Sequence, residues 1–221
     1  MSSKMMLLDW KAMKYYHKRI IMIPLLVLPI SFLSPLGGIP MSTFLFYLFS
    51  LNPFAVEEQG ELNNLYLTLP VDRLAIVTGR YMLSMIMGLA GFVMGVIIGG
   101  FFSILGFITM PFDPGSLFLM FGVSAIIFAA ANIVMYPVLF KLGYQKGKMI
   151  GCYIPGILLS WLFSLSVVLD GIMDMNGARI PLVYAIAGQP FFVGAVLIII
   201  AAIILYGSYS ISIKVYDKRD F

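Results

Sequence analysis

The sequence predicts an all-α polytopic membrane protein, and three observations carry that reading. Hydrophobic residues fill 61% of its 221 positions and charged residues only 11%, against about 45 to 50% and about 25% in soluble globular domains. The apolar residues are gathered into six runs, 20–36, 39–56, 81–110, 117–140, 149–169 and 191–213, and none contains Asp, Glu, Lys, Arg or His. At 1.5 Å rise per residue, about twenty helical residues cross a hydrocarbon layer of about 30 Å. Finally, every lysine and arginine except Arg179 falls in segments that six crossings place on one side. That side is cytoplasmic by the positive-inside rule, so both termini are expected there. The whole chain, 1–221, reads as one transmembrane domain, and its net charge of +4 bears on orientation rather than on nucleic acid.

The N-terminal segment, 4–19, winds as an amphipathic helix with Lys4, Lys11, Lys14 and Lys18 on one face and Met6, Trp10, Met13 and Tyr16 toward the other. Such a helix suits the cytoplasmic interface, its lysines toward anionic head groups; a plain basic flank that fixes orientation is the alternative. The basic stretch is too long for a secretory signal, and no small-residue cleavage pair closes the apolar run after it. His17 reads as an interfacial residue. The first run carries Pro24, Pro29 and Pro35, which kink a helix and free carbonyls that neighbouring helices must satisfy. Arg80 interrupts the third apolar stretch near its start, so the membrane part is placed from Tyr81. Along that span Gly91, Gly95 and Gly99 recur every fourth residue, with Gly88 just before, a ridge that lets two helices approach closely. The connection 170–190 is the longest on the external side, and its apolar second half is too short to cross.

Between the second and third spans lies an acidic stretch on the basic side. Glu57, Glu61, Asn64 and Thr68 share one helical face, Leu62, Leu65, Tyr66 and Leu69 share the next, and Pro70 should end the helix because the residue before a proline disfavours helical geometry. A plain surface helix is one reading. A lever that docks in another protein's groove is the other, and its carboxylates suit a protein surface better than anionic lipid.

Several chemical readings are excluded. Ionisable groups within spans mark ion pathways, and their absence from the six runs argues against a proton- or sodium-driven carrier. Gly143 to Met149 imitates a phosphate-binding loop, but three residues rather than four separate its glycines and Met149 stands where a hydroxyl is needed. Glu57 and Glu58 match a paired-carboxylate protease only in part: Leu62 stands where its arginine would be, and the one histidine, His17, lies in the N-terminal segment. The single cysteine, Cys152, supports neither a disulfide nor a thiolate metal site within one chain.

On the stretch Glu57-Glu58-Gln59-Gly60, then Leu65-Tyr66-Leu67-Thr68-Leu69-Pro70-Val71-Asp72-Arg73, then Ile76-Val77-Thr78-Gly79-Arg80-Tyr81, the chain resembles the type-2 ABC transporter permeases. It is most similar in pattern to small bacterial six-span members such as the membrane subunits of phenol-soluble modulin (peptide toxin) exporters. Tyr66 and Thr68 depart from the leucine and serine usual there, both mildly. The resemblance implies that 56–69 is a coupling helix contacting a separate ATP-binding subunit through Glu57, Glu58, Gly60, Glu61, Leu65, Leu69, Pro70 and Arg73. It also implies an external gate in 170–190 and a second permease subunit, a homodimer or close paralogue. The expected function is the permease subunit of an ATP-driven exporter in a bacterial cell membrane, moving a hydrophobic or amphipathic substrate such as a toxin or antimicrobial peptide. No catalysis and no cofactor are expected in this chain, ATP and magnesium belonging to the partner. A substrate-capturing subunit of a vitamin importer and a non-transport toxin-immunity protein stay open as alternatives.

Overall fold

The computed structural model describes residues 2–16, 22–33, 35–59, 73–105, 114–176 and 189–218. Among these every element is helical. In chain order they are α1 (Ser2–Ala12), continued by a 3-10 turn over Met13–Tyr16, α2 (Met22–Leu33), α3 (Pro35–Phe49), α4 (Asn52–Gln59), α5 (Arg73–Ile104), α6 (Pro114–Asn176) and α7 (Pro190–Asp217). Four stretches are long and apolar enough to cross a membrane: Gly38–Glu58, Arg73–Ile104, Pro114–Gly147 and Pro190–Asp217. They coincide with the second, third, fourth and sixth expected spans. Six crossings are not established. The first expected span falls largely on α2, whose 12 residues reach only about 18 Å at the helical rise. The fifth, 149–169, is continuous helical backbone in the second part of α6.

Two breaks in these helices have local causes. Between α3 and α4 the chain jogs at Ser50 and Leu51, where the Ser50 hydroxyl donates to the Tyr47 carbonyl at 2.6 Å and the Asn52 amide to the Phe49 carbonyl at 2.8 Å. Side chains thus supplement the backbone bonds at the interruption, the Tyr47 carbonyl accepting the Ser50 N–H as well. In α6 the break is at Gly143, with φ 77° and ψ 179°, a backbone region that only glycine enters without a large penalty. This is the basic turn expected between the fourth and fifth spans. The start of the expected external connection, 170–176, is instead the last part of α6; it contains no proline to stop the helix, and 177–188 lie outside the described residues.

Packing follows two seams. On α5, a Cβ at Gly91 would come within 2.8 Å of the Phe46 Cβ, the Ser42 carbonyl oxygen and the Thr43 Cα, and one at Gly95 within 2.9 Å of the Ile39 Cα. The glycines therefore set the α3–α5 separation, and the Ser42 hydroxyl donates to the Gly91 carbonyl at 2.8 Å across it. Gly99 is buried on the same helix. The second seam joins α6 to α7, where a Cβ on Gly122 would meet the Gly194 carbonyl oxygen at 2.9 Å. Farther along it the Tyr81 hydroxyl lies 2.6 Å from Ser208 Oγ and 2.8 Å from Ser212 Oγ, while Ser208 donates to the Asn132 carbonyl. Ser208 has one proton to give, so it accepts from Tyr81, and Tyr81 accepts from Ser212.

The N-terminal helix departs from the expected face. Met5, Asp9 and Met13, spaced by four, are buried, while Lys4, Lys11 and Lys14 are exposed and Trp10 is 36% exposed. The stripe packed inward thus shares Met13 with the expected face but has Met5 and Asp9 in place of Met6 and Trp10. That stripe places Asp9 against α5, where it meets Arg80.

Candidate functional site

The two glutamates on α4 serve different ends. Phe54 and Glu57, three residues apart, share the face of α4 that turns into the bundle, and both meet Arg80 of α5. The Arg80 Nη2 donates to Glu57 Oε2, its Nε lies 3.9 Å from Asp9 Oδ2, and its Cζ stands 4.1 Å from the Phe54 ring centroid and 5.6 Å from that of Phe140. Arg80 and Asp9 are each 1% exposed and Glu57 4%. A guanidinium removed from water needs carboxylate partners and tolerates aromatic faces, which attract it through their quadrupoles. One side chain therefore ties together α1, α4, α5 and α6.

An aromatic cage surrounds this ion cluster. Tyr136 and Tyr81 lie 4.6 Å apart by ring centroid, Phe54 and Phe140 5.0 Å, Phe54 and Tyr136 5.6 Å, and Phe140 and Tyr216 5.2 Å. The Tyr136 hydroxyl donates to the Arg80 carbonyl at 3.2 Å. The cage excludes water, which strengthens the electrostatics inside it and makes loss of one charged partner costly.

Glu58 points elsewhere. Its Oε2 accepts the Gln145 backbone N–H at 2.8 Å, just past the Gly143 break, so an amide of the phosphate-loop look-alike is engaged by a carboxylate of the same chain. At the start of α5, the Arg73 guanidinium donates to the Asp217 carbonyl at 2.8 Å, at the end of α7. The N-terminal helix, both flanks of the connection between α4 and α5, the turn in α6 and the end of α7 thus meet at one end of the bundle.

Helical spacing puts Glu57 with Glu61 on one face; of that face the structure describes Glu57, which is buried in an ion pair with Arg80. Arg80 accordingly is a centre of packing near the start of α5. Gly60, Glu61, Leu65, Leu69 and Pro70 lie outside the described residues. Sequence reasoning missed Arg80 as the shared partner of Glu57 and Asp9, although two signals were present: a lone carboxylate in the otherwise basic N-terminal stretch, and a lone cation breaking an apolar run.

In the middle of the bundle a cleft of about 240 Å³ opens between α5 and α6, lined by Met85, Leu89, Phe92, Phe121 and Phe128 among others. Its wall is apolar and it presents no reactive constellation. Among the described residues no cluster of three or more His, Cys, Asp or Glu side chains is arranged to hold a metal.

Residues 4–217 match the profile of a family described as ABC-2 family transporter protein. No curated protein and no solved structure matches the chain.

Proposed function

The chain belongs to the ABC-2 transporter protein family, and from that premise we propose that it is the export permease of a bacterial cell-membrane complex, built from two permease subunits and two ATP-binding subunits. Family membership makes it an integral membrane, non-catalytic transport component whose ATP hydrolysis resides on a partner subunit. Beyond that, we assign both termini to the cytoplasm and the coupling segment 56–69 to contact with the ATP-binding subunit.

The observation that carries the coupling role is the anchoring of both flanks of that segment. Glu57 and Glu58 hold its leading edge to Arg80 and to the Gln145 amide, and Arg73 holds its trailing edge to the end of α7. A push on a segment held this way moves α1, α5, α6 and α7 instead of dissipating in a loose loop. ATP-driven motion can bias the permease only if its two states are contacted differently by the ATP-binding subunits, and discrete ion pairs and hydrogen bonds supply contacts that are either made or broken. Glu57 acts here as a positioning residue; Glu61 remains a residue of the partner contact in this reading.

A hydrophobic or amphipathic substrate, a membrane-active peptide foremost, fits the charge-free spans and the apolar cleft. The cleft accommodates an apolar side chain rather than a whole peptide helix, which is consistent with a pathway completed by a second copy.

The test is co-expression with the ATP-binding subunit encoded beside it. The two are expected to purify together and to hydrolyse ATP faster when amphipathic peptide is added; absence of a stable complex rejects the assignment. Exchange of Glu61 for lysine is expected to leave the chain in the membrane while weakening that complex, and an unchanged complex removes Glu61 from the contact.

A further inference from the structure

At the basic end of the bundle, Lys141 of α6, Lys214 of α7 and Lys218 at the C-cap of α7 converge on one cleft of about 370 Å³, floored by Ile211 and Val215. All three lysines are exposed, and among the described residues none pairs with a carboxylate. Lysines in the last turn of a helix are favoured by its dipole, which accounts for each singly, Lys141 standing just before the Gly143 break. It does not account for three cations from two helices drawn around one space, where their mutual repulsion calls for an anion.

The surface leading to the cleft indicates what carries that anion. On α7 and its C-cap the residues Ile203, Gly207, Ile211, Lys214 and Lys218 follow one another at helical spacing along a single face. Ile203 is 66% exposed and Ile211 44%, and a Cβ built at Gly207 has no neighbour within 4 Å. An uncovered apolar track thus runs along the membrane-spanning helix and ends at the lysine cleft. A soluble anion makes no use of the track, whereas a phospholipid occupies both parts, acyl chain along Ile203 to Ile211 and phosphate among the lysines.

The geometry points to a binding site for an anionic phospholipid of the inner leaflet, with Lys141, Lys214 and Lys218 holding its phosphate. Basic side chains near a membrane surface each add several-fold to the affinity for anionic lipid. The site bridges α6 and α7, so an occupied cleft clamps the end of α7 that Arg73 also grips.

The chain is purified in a neutral detergent, and its melting temperature is followed as phosphatidylglycerol, phosphatidylcholine or inorganic phosphate is added. Phosphatidylglycerol is expected to raise it saturably; phosphatidylcholine and phosphate at matched concentrations are not. The variant K141Q/K214Q/K218Q is expected to need roughly a hundredfold more phosphatidylglycerol for the same rise, and K141R/K214R/K218R to behave as the native chain. Indifference of the native chain to phosphatidylglycerol, an unshifted titration in the glutamine variant, or equal stabilisation by inorganic phosphate each overturns the lipid site. No ATP-binding subunit enters the assay, so its outcome is independent of the transport assignment.

Discussion

The two halves of α5 adhere to the bundle in opposite ways. Near its start, Arg80 is held by Glu57, Asp9 and the Phe54 and Phe140 rings, contacts that depend on angle and charge. Farther along, Gly91 and Gly95 let the α3 backbone come close, and one hydroxyl-to-carbonyl bond crosses the seam. Close packing resists separation but carries little information about register, whereas a buried ion cluster is satisfied in one arrangement and costly in the next. The difference separates a part held by charge and angle from a part held by close backbone approach.

The largest expected effect breaks the charged half. Arg80→Met leaves Glu57 and Asp9 buried without their cation, and removing one partner of a buried pair costs about 3 to 5 kcal/mol. Thermal unfolding in detergent is expected to fall steeply, and a shift within experimental scatter contradicts the burial of the cluster. Next comes the packed half. Gly91→Leu drives a side chain into the α3 backbone at Ser42 and Thr43 and is expected to cost about 1 to 3 kcal/mol by overpacking, with Gly91→Ala milder; equal stability of the two shows a looser seam than described.

Between the halves, Tyr81→Phe removes the hydroxyl that joins α5 to Ser208 and Ser212 on α7. A loss of about 1 to 3 kcal/mol is expected, because buried serine oxygens lose a partner, and the same melts measure it. Combining Ser212→Ala with Tyr81→Phe should cost little more than Tyr81→Phe alone, since the shared bond is already gone. The smallest effect sharpens the comparison by lying on neither half: Gly207→Ala meets open space on α7 and is expected to stabilise by up to about 1 kcal/mol through helix propensity. Destabilisation there indicates that something covers this face in the isolated chain.

Much of this architecture was legible in the sequence because membrane crossing writes itself in length and charge. The runs at 39–56, 117–140 and 191–213 fall within helical stretches long and apolar enough to span, the first of them jogged at Ser50 and Leu51, and the glycine spacing at Gly91 and Gly95 coincides with close α3–α5 contact. The run at 20–36 was less legible, since composition gives apolarity but not whether proline-bearing turns join into one span. The vitamin-importer alternative gives way to the family match over residues 4–217. The site was half visible. Glu57 and Arg73 stand out on one local stretch, but a local stretch holds no sign that its acid is claimed by a cation 23 positions on. Asp9 was hidden further: its partner lies on a different helix, and the choice of inward face on α1 decides whether it faces lipid or protein.

The central claim is that Glu57 and Arg80 act as one unit in transmitting the motion of the ATP-binding subunit. The most direct measurement is a double-mutant cycle, Glu57→Gln and Arg80→Gln, read as the ATP hydrolysis rate of the assembled complex after matched amounts of complex are isolated. Each single change is expected to move the rate toward that of the free ATP-binding subunit, and the double change to do no more than the worse single one. Rates that change independently and multiply in the double variant, or single variants that assemble and hydrolyse ATP at the native rate, contradict it.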